Sequence, residues 1–173
     1  MRAHLIRRHG QSRYIAGKGT ALRNKSFQLY YQPVVGTKAQ RPKFYECLLR
    51  MFDEQGELLP AGEFLPIAEK MGLIRSIDRF VLDVVVGELN ESPDARLAIN
   101  ISSLSTTDPS WLRALTTQVK EHEEIARRLV VEITETTALH DMRETTRFIA
   151  ALKEMGCRVA LDDFGAGYTS FRH

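Results

Sequence analysis

Oxygen-bearing polar side chains stand inside or directly after several apolar segments of the sequence. They are Glu46 in YECLLR, Asn100 in RLAIN, Glu132 in LVVE, and Asp162 with Asp163 in VALDD. A charge in an apolar strand costs several kcal/mol unless it is compensated, and a single residue of this kind is usually a hydrogen-bonded buried polar group. Four separate segments with the same feature indicate a shared site instead.

Parallel strands would bring these side chains together, because their carboxyl ends meet at one edge of a sheet or barrel. Converging carboxylates repel one another and raise one another's pKa unless a cation lies between them. A set of oxygen donors without Cys or His favours Mg²⁺ or Mn²⁺ over Zn²⁺. The adjacent Asp162 and Asp163 could bind two ions, and paired ions about 4 Å apart are suited to in-line displacement at phosphorus. The residues therefore predict metal-dependent phosphoryl transfer or hydrolysis.

Three further features bear on this chemistry. Arg50 follows Glu46 on the same segment and could receive a phosphate, although a surface salt bridge explains it equally well. The segment AGKGT resembles a phosphate-binding loop, but it lacks the leading glycine and a preceding strand. Asp163-Phe164-Gly165 resembles a kinase motif, but no glycine-rich loop, strand lysine or HRD segment precedes it. These two segments therefore predict neither a phosphate-binding loop nor a kinase site.

The elements that must position these residues alternate between strands and helices. Aromatic and β-branched runs separated by Gly36 and a polar stretch predict an initial β-hairpin, and apolar residues at helical spacing predict the helices. Asp108-Pro109 and Asp141 with Glu144 are typical helix starts. The predicted order is strands at 27–35 and 43–52, helices from 61 to about 72 and from 77 to 89, a strand at 96–102, a helix from 109 to 125, a strand at 129–134, a helix from 141 to 156, and a strand at 157–163.

This order predicts an α/β protein with a parallel sheet covered by helices. Two architectures are compatible with it: a doubly wound open sheet, or the first part of a (β/α) barrel. A barrel typically needs about 250 residues, so this chain would supply about five of its eight strands. The hairpin-like start without helices, and the last strand close to the end of the sequence, favour the incomplete barrel.

Composition limits the kind of protein. The chain has 173 residues, 43% of them hydrophobic, and a net charge of +2, which is typical of a globular domain. Residues 1–25 carry seven Lys/Arg and no Asp/Glu, while the remainder holds 17 basic and 22 acidic residues. We interpret residues 1–25 as a basic arm or interdomain linker, and the acidic remainder argues against binding a nucleic-acid polymer. No apolar run suits a membrane helix or signal peptide, and the two separated cysteines fit a reduced, cytoplasmic protein.

Six motifs in register resemble the EAL domain family, bacterial phosphodiesterases that hydrolyse the second messenger cyclic di-GMP. The motifs are YYQPVV (30–35), ECLLR (46–50), FLPIAEKMGLI (64–74), INIS (99–102), VEITE (131–135) and DDFGAGYTS (162–170). The resemblance assigns residues 26–173 to a partial EAL domain. It implies a TIM-like (β/α) barrel of EAL type, and hydrolysis of cyclic di-GMP to linear pGpG by a metal-activated water.

The resemblance also implies roles for residues at matching positions. Glu46, Asp162 and Asp163 would take part in catalysis. The first metal ion, Mg²⁺ or Mn²⁺, would be bound by Glu46, Asn100, Glu132 and Asp162, and the second by Asp162 with Asp163. Gln32 and Arg50 would contact the dinucleotide. Glu135 would anchor the loop DDFGAGYTS, which in the family couples substrate, metal and dimerisation, so a homodimer is expected.

Two departures from the family pattern affect these expectations. Cys47 replaces an alanine, and strand alternation points it away from Glu46, so we expect little effect. The sequence ends at His173, before the family's catalytic lysine and a further metal-binding glutamate, so we expect the 173-residue chain alone to be inactive. The alternatives are a receptor that binds cyclic di-GMP without cleaving it and, less favoured, a purely structural interaction domain. A sensor or diguanylate cyclase domain is expected upstream.

Overall fold

A computed structural model describes residues 27–36, 41–53 and 55–162 of the chain. The strands of this part are β1 (Phe27–Val35), β2 (Pro42–Phe52), β3 (Leu58–Pro60), β4 (Leu97–Asn100), β5 (Leu129–Thr134) and β6 (Arg158–Asp162). The helices are α1 (Ala61–Lys70), α2 (Ile74–Glu91), α3 (Ser103–Thr106), α4 (Pro109–Val119), α5 (Glu123–Ala126), α6 (Glu135–His140) and α7 (Met142–Glu154). None of these helices is both long enough and apolar enough to cross a membrane.

The strands form one sheet in the order β1-β2-β4-β5-β6, and β3 pairs with β2 beside this path. β1 and β2 are antiparallel, as the predicted hairpin requires, while β2, β4, β5 and β6 are parallel. Each crossover moves to the next position in the same direction. Right-handed crossovers of this kind place all the connecting helices on one face. The sheet is therefore a sector of a (β/α) barrel, open within the described residues, and the doubly wound alternative is wrong.

The two faces of the sheet have different surroundings. Ile99, Val131 and Ile133 alternate with the polar strand residues and are at most 1% exposed. They belong to one apolar cluster with residues of α2, α4 and α7. Ala98 and Val130 are also buried but lie on the opposite face and are not part of that cluster. The helix-covered face is therefore the core, and the other face is the concave side of the barrel sector.

Several local predictions are confirmed at the level of single residues. Asp108 accepts a hydrogen bond from the Ser110 backbone N–H at 2.9 Å, with Pro109 as the first residue of α4. Asp141 accepts from the Glu144 N–H at 3.0 Å at the start of α7. Gly72 and Gly156 follow α1 and α7 with φ of 69° and 90°, the left-handed conformation that ends helices.

The structure also differs from the predicted elements. β3, α3 and α6 were not predicted, because three to six residues are too few to show a periodicity. The helix predicted from 109 to 125 ends at Val119, and Ile125 belongs to the separate helix α5. The intervening residues 120–122, KEH, offer no apolar side chain that would hold a continuous helix against the core.

Candidate active site

Glu46 and Asn100 lie next to each other on the concave face. The register pairs Glu46 of β2 with Ala98 of β4. Asn100 lies two residues after Ala98 on β4, so its side chain projects from the same face of the sheet as that of Glu46. Asn100 Nδ2 donates a hydrogen bond to Glu46 Oε1 at 2.9 Å. These two residues are 54 positions apart in sequence, and the parallel pairing of β2 with β4 brings them together.

Glu132 joins this pair from the neighbouring strand. It is the register partner of Asn100 and is only partly exposed. Burial, followed by the negative charges of Glu46 and Asp162, raises the pKa of Glu132 to about 7. Glu46 and Asp162 therefore lie close enough for their charges to disfavour ionisation of Glu132, the kind of effect that the sequence predicted for a convergent cluster.

Asp162 completes the described part of the cluster from the last strand. It is exposed and pairs in register with Thr134, which lies two residues after Glu132 on β5. Glu132 itself pairs with Asn100. Glu46 pairs with Ala98, which lies two residues before Asn100 on β4. The polar residues thus follow a diagonal across the concave face, which is the stagger that neighbouring strands of a barrel adopt.

The donor set fits a hard divalent cation. Three carboxylates and one amide supply only oxygen ligands once the Asn100 amide turns its oxygen toward the cluster, and such a set suits Mg²⁺ or Mn²⁺. In residues 27–36, 41–53 and 55–162, no three His, Cys, Asp or Glu side chains are already close enough to hold one ion. In this arrangement the hydrogen bond from Asn100 Nδ2 compensates part of the charge of Glu46. Asp163, predicted as a ligand of the second ion, lies outside the described residues.

Gln32 and Arg50 flank Glu46 on the hairpin. Gln32 is exposed and pairs directly with Glu46 across β1 and β2. Arg50 lies on the same face of β2, donates from Nη1 to the Leu49 carbonyl oxygen at 2.8 Å, and holds its guanidinium 5.8 Å from the centre of the Tyr30 ring. Among the described residues Arg50 forms no salt bridge, so the surface-salt-bridge explanation has no support there.

Glu135 begins the helix that follows β5. It is the first residue of α6, and it is 8% exposed. The loop that it was expected to anchor begins after Asp162 and lies outside the described residues, so this role stays a prediction. Cys47 points to the helix-covered face and is 4% exposed, which agrees with the alternation argument.

Sequence reasoning missed two residues beside the site. Tyr30 carries the Arg50 guanidinium on its ring. Asp78 of α2 accepts hydrogen bonds from Ser102, directly beyond β4. A signal for Asp78 was available, because its position continues the helical stripe of Ile74, Ile77 and Val81, which are all buried.

Known proteins resemble this chain over most of its length. A family model described as EAL domain matches residues 19–173. The cyclic di-GMP phosphodiesterase PdeF of Escherichia coli is 34% identical over 155 residues, which are 87% of this chain and 20% of PdeF. The bifunctional diguanylate cyclase/cyclic di-GMP phosphodiesterase MucR of Pseudomonas aeruginosa is 32% identical over 155 residues, which are 87% of this chain and 23% of MucR.

A solved structure shows the same fold. The FimX EAL domain of Pseudomonas aeruginosa, bound to c-di-GMP, gives a TM-score of 0.75 at 31% identity, and the similarity covers 84% of this chain and 60% of that domain. The chain therefore spans about a fifth of the length of the curated relatives and about three fifths of the FimX domain.

Proposed function

The chain belongs to the EAL domain family, and from this premise we propose that it forms the larger part of a domain that hydrolyses cyclic di-GMP to linear pGpG with a divalent metal ion. The observation that carries the proposal is the convergence of Glu46, Asn100, Glu132 and Asp162 on the concave face of a TIM-like barrel sector. The similarity to PdeF and MucR, both cyclic di-GMP phosphodiesterases, supports the same reaction class.

The electrostatics of the cluster support a metal ion. Without a cation, Glu132 has a pKa of about 7 and exchanges its proton near neutral pH. A divalent ion would displace this proton and offset the repulsion among the carboxylates. In the proposal, Glu46, Asn100, Glu132 and Asp162 hold one Mg²⁺ or Mn²⁺, and Asp162 with Asp163 holds a second. The ions would supply an activated water at neutral pH and neutralise charge on the phosphate.

The hairpin supplies the groups that bind and orient the dinucleotide. Arg50 is tethered by the Leu49 carbonyl and the Tyr30 ring, and in the proposal its other N–H donors bind a phosphate oxygen. Tethering limits the conformational entropy that Arg50 loses on binding. Gln32, opposite Glu46, presents an amide that can donate to and accept from a base edge at the rim of the site.

The proposed partners follow from the relatives rather than from a contact in the structure. MucR combines a diguanylate cyclase with a phosphodiesterase in one chain, and we extend this to an upstream signalling domain here. We further propose that the protein forms a homodimer through the loop after Asp163. We also place it in the bacterial cytoplasm, where buried thiols such as Cys47 and Cys157 stay reduced.

The test is cyclic di-GMP turnover by the natural full-length protein, with pGpG separated by chromatography. We expect hydrolysis with Mg²⁺ or Mn²⁺, loss of hydrolysis with a chelator, and loss of hydrolysis in Glu46→Gln. Glu121→Gln, at an exposed position after α4, is the matched control and should remain active. Hydrolysis that survives both the chelator and Glu46→Gln would contradict the proposal, and tight binding without turnover would favour the receptor alternative.

A further inference from the structure

Asp78 places a carboxylate where the apolar stripe of α2 meets the turn that follows β4. Its Oδ2 accepts two hydrogen bonds from the same residue, from Ser102 N–H at 3.2 Å and from Ser102 Oγ–H at 2.5 Å. Asp78 forms no salt bridge among the described residues. Burial raises the pKa of Asp78, while hydrogen bonds from Ser102 and Ser105 act in the opposite direction. Asp78 is thus a partly buried carboxyl group whose described hydrogen bonds come from hydroxyl and backbone N–H donors.

The backbone of Asp78 is held as well as its side chain. Trp111 of α4 is 3% exposed, and its indole Nε1 donates to the Asp78 carbonyl oxygen at 3.3 Å. One helical turn before, Arg75 Nε donates to the Leu104 carbonyl oxygen at 3.3 Å. Helix α2 therefore contacts the segment after β4 through two residues, and Asp78 is less exposed than Arg75.

Ser102 transmits this constraint to the site. It is the N-cap of α3 and accepts a hydrogen bond from the Ser105 N–H at 3.3 Å. Between it and Asn100, the Ile101 N–H donates to the backbone oxygen of Glu132 at 3.1 Å. Asn100 itself donates to Glu46. The segment 100–102 is thus fixed by β2 at one end, by β5 in the middle and by Asp78 at the other end.

We propose that Asp78 is a positioning residue that acts through Ser102 to hold Asn100 at the concave cluster. The inference rests on the proposed function, because it assigns Asn100 to a metal-binding set. A carboxylate suits the role because one oxygen accepts both Ser102 donors, and charged acceptors form hydrogen bonds about twice as strong as neutral ones. An asparagine could turn its one oxygen toward both Ser102 donors, but that oxygen is a weaker, neutral acceptor, and the NH₂ group would occupy the same half-buried space.

The test compares Asp78→Asn, Ser102→Ala and Ser102→Thr in the natural full-length protein. Mn²⁺ affinity is measured from the free-ion EPR signal, and the mobility of residues 97–106 is measured by hydrogen–deuterium exchange without metal. We expect Asp78→Asn and Ser102→Ala to weaken Mn²⁺ binding about tenfold or more, as loss of an outer partner of a metal ligand commonly does. Both variants should also raise hydrogen–deuterium exchange in residues 97–106. Ser102→Thr keeps the hydroxyl, so its Mn²⁺ affinity and its exchange should match those of the wild type.

Ile77→Val is the matched control, because Ile77 is the neighbouring residue, is 2% exposed and contributes only packing. It should lower the melting temperature without weakening Mn²⁺ binding. Combining Asp78→Asn with Ser102→Ala should cost little more than either alone, because the two residues act in series. If Asp78→Asn does not fold, Ser102→Ala alone decides the question.

The failures of the two proposals are distinguishable. Wild-type protein that binds no Mn²⁺ would overturn the metal site, and the role of Asp78 toward it. Mn²⁺ affinity that is strong in the wild type and unchanged in Asp78→Asn and Ser102→Ala would overturn the positioning role and leave the metal site standing. A loss of affinity in Ile77→Val as large as in Asp78→Asn would also overturn it, because stability alone would then explain the effect.

Discussion

Glu132→Gln should stabilise the metal-free chain at alkaline pH. The folded structure raises the pKa of Glu132 from its ordinary value of 4.5 to about 7, by burial and then by the charges of Glu46 and Asp162. A shift of this size corresponds to about 3 kcal/mol for a fully buried group. Solvent screening at a partly exposed side chain reduces the expected cost to about 2 kcal/mol. Glutamine has the same shape without the charge, so the variant should recover this free energy.

The sign of the pH dependence follows from which state binds more protons. Between pH 4.5 and about 7 the folded state keeps the Glu132 proton that the unfolded state has lost, so wild-type stability falls as pH rises through this window. Below pH 4.5 both states are protonated, and the variant should gain nothing. Above pH 7 the full difference of about 2 kcal/mol should be present.

The assay is urea denaturation of the chain in the presence of a chelator, at pH 4.5 and pH 8. Trp111 is the only tryptophan of the sequence and is 3% exposed, so its fluorescence reports unfolding of the core directly. Glu121→Gln, with the same change of charge at an exposed turn, should leave the difference between the two pH values unchanged. A Glu132→Gln variant that is no more stable than the wild type at pH 8 would refute the idea that burial and the charges of Glu46 and Asp162 raise the pKa of Glu132 in the metal-free fold. Adding Mn²⁺ should make the wild type more stable than Glu132→Gln, because the variant lacks one of the carboxylates that would bind the ion.

The remaining predictions concern single side chains around the site and the core. Arg50→Ala should weaken cyclic di-GMP binding in titration calorimetry with an unchanged melting temperature, and unaltered affinity would exclude its phosphate contact. Arg128→Met should lower the free energy of unfolding by about 2 kcal/mol, because Arg128 Nη1 donates to the carbonyl oxygens of Leu89 in α2 and of Ser92 and Ala95 after it, at 2.7, 2.9 and 3.3 Å. Urea denaturation at equal pH checks this, and a loss below about 0.5 kcal/mol would contradict it. Cys47 should resist thiol reagents at pH 8 until the chain unfolds, since burial and the charges of Glu132 and Glu46 raise the pKa of its thiol; rapid labelling of the native chain would contradict this.

The sequence allowed the long elements and the approximate location of the site to be predicted. Glu46 and Asn100 could be identified because each interrupts an apolar run, and parallel strands leave one edge at which such residues meet. The helix starts at Asp108 and Asp141 could be identified because capping depends on chemistry within a few residues. These signals are local, so the sequence contains them directly.

The contacts between elements could not be obtained in this way. The hydrogen bond from Asn100 to Glu46 depends on the register of β2 against β4, which is set by the stagger of the whole sheet. Asp78 interrupts an apolar helical stripe, but its partner Ser102 lies 24 residues away and on another element. Tyr30 was grouped with ordinary strand aromatics because its relation to Arg50 appears only when β1 and β2 are paired.

The position of β2 between an antiparallel and a parallel neighbour has a consequence for the order of folding. β1 and β2 are joined by a short connection, so their pairing closes a small loop. The pairing of β2 with β4 closes a much larger loop, because β3, α1 and α2 lie between these strands in the chain. Closing the larger loop costs more chain entropy and delays that pairing. The contact between Glu46 and Asn100, 54 residues apart, therefore forms late. Substitutions in the site should accelerate unfolding far more than they slow folding, which leaves the site free to vary without obstructing the route by which the chain reaches its native state.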